Sequence, residues 1–402
     1  MDKIDELLTR GVDKIYPTRE ELEKILRSGK KLKLYQGFDP TGTQLHIGHA
    51  VALRKLRQFQ DLGHEVIFLI GDFTAMIGDP TGKLDARKML TKEDVLHNAK
   101  EYKEQAARIL RFDGPNPVII KYNSEWLGTI SALEFLRLAH HLTYQQVVER
   151  DMFQERMKRG QDIYVNEFLY PVMQAYDSVA MDVDLEIGGT DQTFNMLMGR
   201  KLMRNMKGKE KFVMTVPLLT DAKGIKIGKT EGNVIGLTDA PNEFYAKIMS
   251  LGDDAIIPCF TLLTDESTKV IEETKKKMEA GENPMLFKKQ LAFQLTKQFN
   301  SEQEAQEAQM NFERTFQQKE LSRASIPTIP ASIFSSPMDI VPLLLKLELA
   351  KTKSEAKRLL KAGAVEHIEH NNRKVISINH GVISVNPGDI LKVGPKKFIK
   401  FI

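Results

Sequence analysis

The first third of the chain alternates short apolar runs with amphipathic stretches. Apolar residues dominate 31–38 (KLKLYQGF) and 65–73 (EVIFLIGDF). Between them, 50–63 (AVALRKLRQFQDLG) carries its apolar residues near helical spacing and ends on a glycine. The pattern therefore predicts strand, helix, strand. Because EVIFLI is apolar without alternation, it indicates a strand buried on both faces, which is typical of a parallel sheet covered by helices.

The α/β pattern continues beyond residue 90 and then gives way to helix. Residues 91–112 predict a surface helix, 118–127 (VIIKYNSEWL) predict another strand, and 130–186 are helix-rich. A sharp turn at 187–192 (IGGTDQ) precedes a further helix. Past 237–250 (LTDAPNEFYAKIMS) the chain loses strand character and stays helical and charged to about residue 323. The segment 325–338, rich in Pro, Ser and Ile, is typical of a linker. A helical stretch and several short β-like runs follow it, which predicts a small terminal domain.

Composition indicates which partners and which cellular compartment to expect. The 58 basic residues nearly balance the 54 acidic ones, and a net charge of +4 is too small to indicate nucleic acid by itself. The single cysteine, Cys259, excludes an internal disulfide or a thiolate zinc cluster and suits a reducing compartment. Since no stretch reaches the roughly 18 apolar residues of a membrane span, we expect a cytoplasmic protein without a membrane anchor.

The stretch LHIGHA (45–50) is the first candidate for chemistry. His46 and His49 share a face of the predicted helix, and Gly48 lets a ligand approach the backbone. A metal site is the weakest interpretation, because no third ligand or HExxH pattern completes it. Two histidines without a special role are a second interpretation. The third is an anion site, because a strand that ends in a turn and leads into a helix presents free N–H groups at the edge of the sheet.

A second candidate is the loop GIKIGKTEGN (224–233). Two lysines on a loop are ordinarily solvated surface, but glycines on both sides let Lys226, Lys229 and the Thr230 hydroxyl reach a polyphosphate. The chain contains neither GxGxxG nor GxxxxGK[ST], which argues against the common dinucleotide and P-loop cradles.

A third candidate is the polar stripe of LYPVMQAYDSV (169–179). Tyr170, Gln174 and Asp177 lie on one side of the predicted helix, where they form either a buried hydrogen-bond network or part of a pocket. Pro171 lacks an N–H and clashes with a preceding turn, so we expect it in the first turn or at a kink.

The motif pair HIGH (46–49) and KIGKT (226–230) resembles that of the class I aminoacyl-tRNA synthetases. Four further stretches, across essentially the whole chain, are similar to the bacterial tyrosine-specific members of that class: YxGFDPT at 35–41, IGDPTGK at 77–83, LYPVMQAYD at 169–177 and GGTDQ at 188–192. The resemblance implies an α/β fold with a Rossmann-like parallel-sheet catalytic domain at 1–235, an α-helical anticodon-side domain at 236–324, a linker at 325–338, and a small α+β RNA-binding domain, similar to one of a ribosomal protein, at 339–402.

The resemblance also implies roles for individual residues. Contacts to the phosphates of ATP fall on Thr41, His46, His49, Lys226, Lys229 and Thr230. Further contacts to ATP fall on Gly48, Lys83, Arg87, Gly189 and Asp191, of which the last two face the ribose. Tyrosine is held by Tyr35, Asp39, Asp79, Tyr170, Gln174, Asp177 and Gln192. Mg²⁺ is expected with ATP as substrate, and no carboxylate cluster specifies a dedicated metal site.

Partners follow from the same resemblance. The terminal domain is expected to grip tRNA(Tyr) through Lys353, Lys357, Arg358 and Lys361, although a basic helix is ordinarily only solvated. A homodimer is expected through the helix-rich segment 125–165. Two alternatives remain: the tryptophan enzyme of the same class, and a non-catalytic RNA-binding relative. Tyr35 and Asp177 suit a phenol and disfavour the first, and the presence of both histidines and both lysines disfavours the second.

Overall fold

A computed structural model gives the architecture. It describes residues 2–402 except 82–88, 222–223, 225, 228, 231–232, 324–326, 335–336, 370–371, 377–381 and 395–396, and it leaves out the side chains of 229–230, 233, 316–323, 372–375 and 397. The chain divides into two compact units, Met1–Gln309 and Met310–Ile402. No helix in the described part of the chain is long and apolar enough to cross a membrane.

The first unit alternates helices and strands as far as residue 234 and is helical thereafter. Its elements in chain order are α1 (Lys3–Thr9), β1 (Lys14–Tyr16), α2 (Arg19–Arg27), β2 (Lys33–Phe38), α3 (Ile47–Asp61), β3 (Glu65–Ile70), α4 (Thr74–Ile77), α5 (Lys92–Ala99), α6 (Tyr102–Ala106), β4 (Ile119–Tyr122), α7 (Ser124–Leu127), α8 (Ala132–Ala139), α9 (Tyr144–Val148), α10 (Asp151–Lys158), α11 (Val165–Met181), β5 (Leu185–Gly189), α12 (Thr193–Lys207), β6 (Phe212–Val216), β7 (Lys229–Thr230), β8 (Asn233–Val234), α13 (Pro241–Met249), α14 (Ile256–Leu263), α15 (Thr268–Glu279), α16 (Pro284–Phe299) and α17 (Glu302–Arg323), whose residues belong to both units. Short 3₁₀ helices lie at Thr190–Gln192 and Asp253–Ala255.

Six strands form the central sheet, in the order β1-β6-β5-β2-β3-β4. Only β1 runs antiparallel to its neighbour, and the other pairings are parallel. In β3 every residue after Glu65 is buried, because helices cover both faces of the sheet. The strand order reverses between β2 and β5, and ligands of open α/β sheets bind at such a switch point, outside the carboxyl ends of the strands. The predicted α/β fold with a parallel sheet is confirmed.

Some local predictions are wrong. Residues 91–112 form two helices, α5 and α6, instead of one. Pro171 is the seventh residue of α11, so the expected first-turn position is wrong, while the alternative, a kink, stays a prediction. The short buried strand β6 has no counterpart among the predicted elements.

The second unit is a small α+β structure. Its own elements are β9 (Thr328–Ile329), a 3₁₀ helix (Ala331–Ile333), β10 (Met338–Asp339), α18 (Ile340–Lys346), α19 (Lys353–Lys361), β11 (Val365–Glu369), β12 (Asn372–Val375), β13 (Val382–Ile383), β14 (Ile390–Val393) and β15 (Lys397–Phe401). Five strands form a sheet in the order β12-β11-β14-β15-β9, and α18 and α19 pack on it through a core that includes Leu343, Leu360 and Leu391.

The segment predicted as a linker contributes to this unit. Strand β9 pairs in parallel with β15, and Ala331 and Phe334 are buried in the core. Proline and serine argue against helix in this segment, but they do not prevent two residues from joining the edge of a sheet. The domain boundaries themselves stay predictions.

Candidate active site

A cavity of about 360 Å³ opens at the carboxyl ends of β2 and β5. Its position is the one that the reversal of strand order predicts. Most of the residues predicted for the site line it: Tyr35, Asp39, Thr41, His46, Gly48, His49, Asp79, Tyr170, Gln174, Asp177, Gly189, Asp191, Gln192 and Lys226.

The remaining predicted residues divide into two groups. Lys83 and Arg87 lie outside the described residues, and Lys229 and Thr230 form β7 with side chains that are not described. The four basic residues predicted to bind RNA are in the second unit, where all are exposed along α19 while Ala356 and Leu360 on the same helix are buried: Lys353, Lys357, Arg358 and Lys361.

The two histidines of HIGH are joined by a hydrogen bond at the start of α3. His46 is the N-cap residue, and its Nδ1 accepts a hydrogen bond from the Gly48 N–H at 3.1 Å. The His46 N–H in turn donates to Nδ1 of His49, also at 3.1 Å, and the ring centroids are 3.9 Å apart. Because both Nδ1 atoms accept, each neutral ring carries its proton on Nε2 and acts there as a donor. This arrangement suits an anion rather than a metal.

The segment that follows the KIGKT loop runs beside these histidines. His46 and Gly236 form an antiparallel bridge, and a second bridge joins Thr220 and Lys226 at the base of the loop. The ammonium group of Lys226 lies 2.8 Å from a carboxylate oxygen of Asp191. The tertiary structure thus brings together two motifs that are about 180 residues apart in sequence.

The polar stripe of α11 both forms a hydrogen-bond network and lines the cavity. The Tyr170 hydroxyl donates to Asp39 at 2.7 Å, and the Gln174 amide donates to Glu186 at 3.1 Å. The third member, Asp177, is only 3% exposed. The two interpretations of the stripe, network and pocket, therefore describe the same residues.

Asp177 of α11 and Tyr35 of β2 are two buried polar residues that line the cavity. Asp177 accepts hydrogen bonds from the Trp126 indole at 2.7 Å and from the Asn123 amide at 3.4 Å. Burial raises the pKa of the Asp177 carboxyl well above its ordinary value, against the lowering effect of these two donors. The Tyr35 hydroxyl lies 2.9 Å from Ser178 Oγ, and burial raises the pKa of this tyrosine as well. A carboxyl beside a phenol in a buried pocket can pair with a hydroxyl-bearing ring.

Two further hydrogen-bonded pairs line the cavity. The Gln192 amide donates to Asp79 at 2.6 Å, and the Thr74 hydroxyl donates to Asp39 at 2.8 Å. In the described part of the chain no group of three or more His, Cys, Asp or Glu side chains is placed to hold a metal ion.

Sequence reasoning missed several residues of the site. Trp126 and Asn123 follow β4 and belong to no motif, and Glu186 and Lys211 are fully or nearly fully buried charges beside the cavity. A signal for the last two exists in the sequence, since each charge lies within or directly before a buried apolar strand.

Comparison with known proteins assigns the family. The family model of the class I tRNA synthetases for tryptophan and tyrosine matches residues 27–317. The chain belongs to this family. Tyrosine–tRNA ligase 2 of Pseudoalteromonas translucida is 44% identical over 392 residues, 97% of this chain and 96% of that protein. The tyrosine–tRNA ligase of Thermotoga maritima is 43% identical over 397 residues, 98% of this chain and 96% of that protein.

A solved structure supports the fold of this class I synthetase. The C-terminally truncated mitochondrial tyrosyl-tRNA synthetase of Aspergillus nidulans superposes with a TM-score of 0.64 at 23% identity, covering 78% of this chain and 94% of that one. The resemblance to bacterial tyrosyl-tRNA synthetases that the motifs predict is confirmed.

Proposed function

We propose that this class I synthetase is a tyrosine–tRNA ligase. It activates tyrosine with ATP to tyrosyl-adenylate and pyrophosphate, and it then transfers tyrosine to the 3′ end of tRNA(Tyr). One observation carries the proposal: a single cavity is lined both by a buried carboxyl and phenol, Asp177 and Tyr35, and by two histidines whose Nδ1 atoms accept, His46 and His49. The first pair suits the phenol of tyrosine, and the Nε2–H groups of the second suit a phosphate.

Asp177 and Tyr35 select the amino acid. Both are buried, so a ligand without a hydroxyl leaves the hydrogen-bonding capacity that they turn toward the pocket unfilled. Sites of this kind, for which tyrosyl-tRNA synthetases are the reference case, reject the analogue without the hydroxyl by about 10⁴ to 10⁵. Asp177→Asn or Tyr35→Phe should reduce the preference for tyrosine over phenylalanine in amino-acid activation. Unchanged discrimination in both variants would remove these residues from the pocket.

A group of acceptors in the cavity holds the α-ammonium group. Asp79, Tyr170 and Gln174 line the cavity, and Asp39 and Gln192 are joined to Tyr170 and Asp79 by hydrogen bonds of 2.7 and 2.6 Å. Carboxylate, hydroxyl and amide oxygens are the acceptors that a protonated amine requires. The reacting carboxylate of tyrosine then faces the histidines.

In the first step, a carboxylate oxygen of tyrosine attacks the α-phosphorus of ATP and pyrophosphate leaves. Charge spreads over the phosphate oxygens, so catalysis rests on positioning and charge stabilisation. His46 and His49 donate through Nε2 from the start of α3, where free N–H groups also favour an anion. Lys226, which lines the same cavity, supplies positive charge.

Other residues complete the ATP site by family resemblance. Thr41 and Gly48 lie on the histidine side, and Gly189 and Asp191 face the ribose. Lys229 and Thr230 on the loop act on the phosphates, as do Lys83 and Arg87. Mg²⁺ enters with ATP as part of the substrate.

The partners follow the same family pattern. The exposed basic residues of α19 bind the tRNA backbone, because Lys353, Lys357 and Lys361 recur every four residues along one side of the helix. The chain acts as a cytoplasmic homodimer through the segment 125–165. Leu133 and Leu136 on α8 support this interface, since 60% and 66% of their surfaces are exposed.

Pyrophosphate–ATP exchange, run with each amino acid in turn, tests the proposal. We expect exchange with tyrosine alone, and we expect Lys226→Ala to reduce it by at least tenfold. Lys275→Ala, which removes an exposed lysine of α15, is the matched control and should leave exchange unchanged. Exchange with tryptophan instead would assign the other enzyme of the family, and no exchange with any amino acid would favour a non-catalytic RNA-binding relative.

A further inference from the structure

A buried ion pair contacts residues that are proposed to hold tyrosine. Glu186 in β5 is 3% exposed and Lys211, which precedes β6, is 0% exposed, and their charged groups are in direct contact. A buried pair is weak evidence for stability, because both charges lose their hydration. The two oxygens of Glu186 instead lead to two different residues of the pocket.

The first oxygen sets the orientation of Gln174. Glu186 Oε1 accepts a hydrogen bond from Gln174 Nε2 at 3.1 Å. A carboxylate only accepts, so the amide nitrogen of Gln174 has to face it and the amide oxygen has to face away. Gln174 Oε1 is buried and has no hydrogen-bond partner among the described residues, although Gln174 lines the cavity. That oxygen is therefore an acceptor reserved for an ammonium group.

The second oxygen leads to Tyr35 through Ser178. Lys211 Nζ contacts Glu186 Oε2 and also donates to Ser178 Oγ at 2.9 Å. Ser178 donates to the same Glu186 oxygen at 3.4 Å and shares a hydrogen bond of 2.9 Å with the Tyr35 hydroxyl. The ammonium group occupies one lone pair of Ser178, which limits how Tyr35 can place its hydrogen.

Helix α12 has a glycine, Gly199, where it packs against this ion pair. A Cβ on Gly199 of α12 would lie 2.6 Å from Lys211 Nζ and 2.9 Å from Ser178 Oγ. A side chain at position 199 would have to displace the ammonium group, so glycine lets α12 pack directly against Lys211 and Ser178.

We propose that Glu186, neutralised by Lys211, is a positioning residue for both ends of the tyrosine pocket. It turns the Gln174 oxygen toward the α-ammonium group of tyrosine, and it orients the Tyr35 hydroxyl through Ser178. This inference rests on the proposed function, because it assumes that the ligand is tyrosine.

Glu186→Gln tests the first half. The new amide satisfies Lys211 with its oxygen and turns its NH₂ toward Gln174, which then has to flip and present its own NH₂ to the ligand. We expect the KM for tyrosine in pyrophosphate exchange to rise at least tenfold while the KM for ATP changes less than twofold. The inhibition constant of 3-(4-hydroxyphenyl)propionate, which lacks the ammonium group, should also change less than twofold.

A merely structural role predicts a different result. General damage to the pocket would weaken the desamino analogue as much as tyrosine, and that outcome would overturn the inference. The double variant Glu186→Gln with Lys211→Met removes both charges, so it should retain the fold but not recover the KM for tyrosine. Recovery of the wild-type KM would show that only charge balance matters and would also overturn the inference.

Ser178→Ala tests the second half and removes only a hydroxyl group. We expect the ratio of tyrosine to phenylalanine activation to fall severalfold, with the KM for ATP unchanged; an unchanged ratio would contradict the relay to Tyr35. Absence of exchange by the wild-type chain would overturn the proposed function and this inference with it. If the wild-type chain catalyses exchange and all variants have the same kinetics as the wild type, the inference is overturned but the proposed function is not.

Discussion

Gly48→Ala isolates the role of the geometry at the start of α3. An alanine Cβ at this position would lie 2.9 Å from His46 Cε1 and 3.0 Å from His46 Nδ1. The backbone is held by the first turn of the helix, so the imidazole has to rotate away. The rotation breaks the 3.1 Å hydrogen bond from the Gly48 N–H to Nδ1 and moves Nε2 from its place in the cavity.

The effects of this change on stability and on rate differ. Loss of an N-cap hydrogen bond costs about 0.5–2 kcal/mol, whereas replacing glycine by alanine in a helix contributes about 1 kcal/mol, so the two nearly cancel. Loss of one preorganised donor to developing charge costs about 10²–10³ in rate. We therefore expect a melting temperature close to that of the wild type and a kcat for tyrosine activation at least tenfold lower.

Pyrophosphate–ATP exchange and thermal unfolding measure the two effects. Gly42→Ala is the matched control, because a Cβ at Gly42 meets no atom within 4 Å although the residue lies in the turn before the histidines. The control should behave as the wild type in both assays. A Gly48→Ala variant with wild-type kcat would refute the argument that the position of the His46 ring matters for the reaction.

Three further predictions concern stability and tRNA. Burial lowers the pKa of His64 to about 4, so acid protonates the unfolded chain first and stability should fall as the pH drops from about 6.5 to 4; His64→Asn should flatten the pH dependence of the urea midpoint over this range, and an unchanged slope would contradict the assignment. Arg156→Ala leaves Glu167 buried without its partner and should destabilise the first unit by about 3–5 kcal/mol in urea unfolding, whereas a loss below 1 kcal/mol would mean that Glu167 finds another partner. Lys357→Gln with Lys361→Gln should weaken tRNA binding and reduce its salt slope by about 1 per lost phosphate contact without affecting amino-acid activation, and an unaltered slope would exclude α19 from the tRNA interface.

Much of the core architecture follows from local pattern. The unbroken apolar run of β3, and the helical spacing of the segment before it, suffice for a parallel α/β sheet because period and burial are properties of neighbouring residues. The motif residues of the site can also be predicted from the sequence, since His46, His49 and Lys226 occur in short stretches with fixed spacing.

Other features depend on distant parts of the chain. No local pattern indicates that the segment 325–338 adds a strand to the terminal sheet, because the partner strand β15 is some 70 residues away. Likewise, a propensity argument disfavours Pro171 within a helix, yet the surrounding packing keeps α11 continuous past it.

The sequence by itself determined the α/β class, the family and the residue types predicted to meet ATP and tyrosine, because each is encoded by spacing within a few residues. Only the tertiary structure decided which partners hold those residues. Trp126 donates a hydrogen bond to Asp177, about 50 residues later in the chain. Glu186 in β5 contacts both Gln174 on α11 and Lys211, which precedes β6. Such pairs form because folding aligns strands that are distant in sequence and packs α11 beside them, and burial there leaves every polar group dependent on a neighbour.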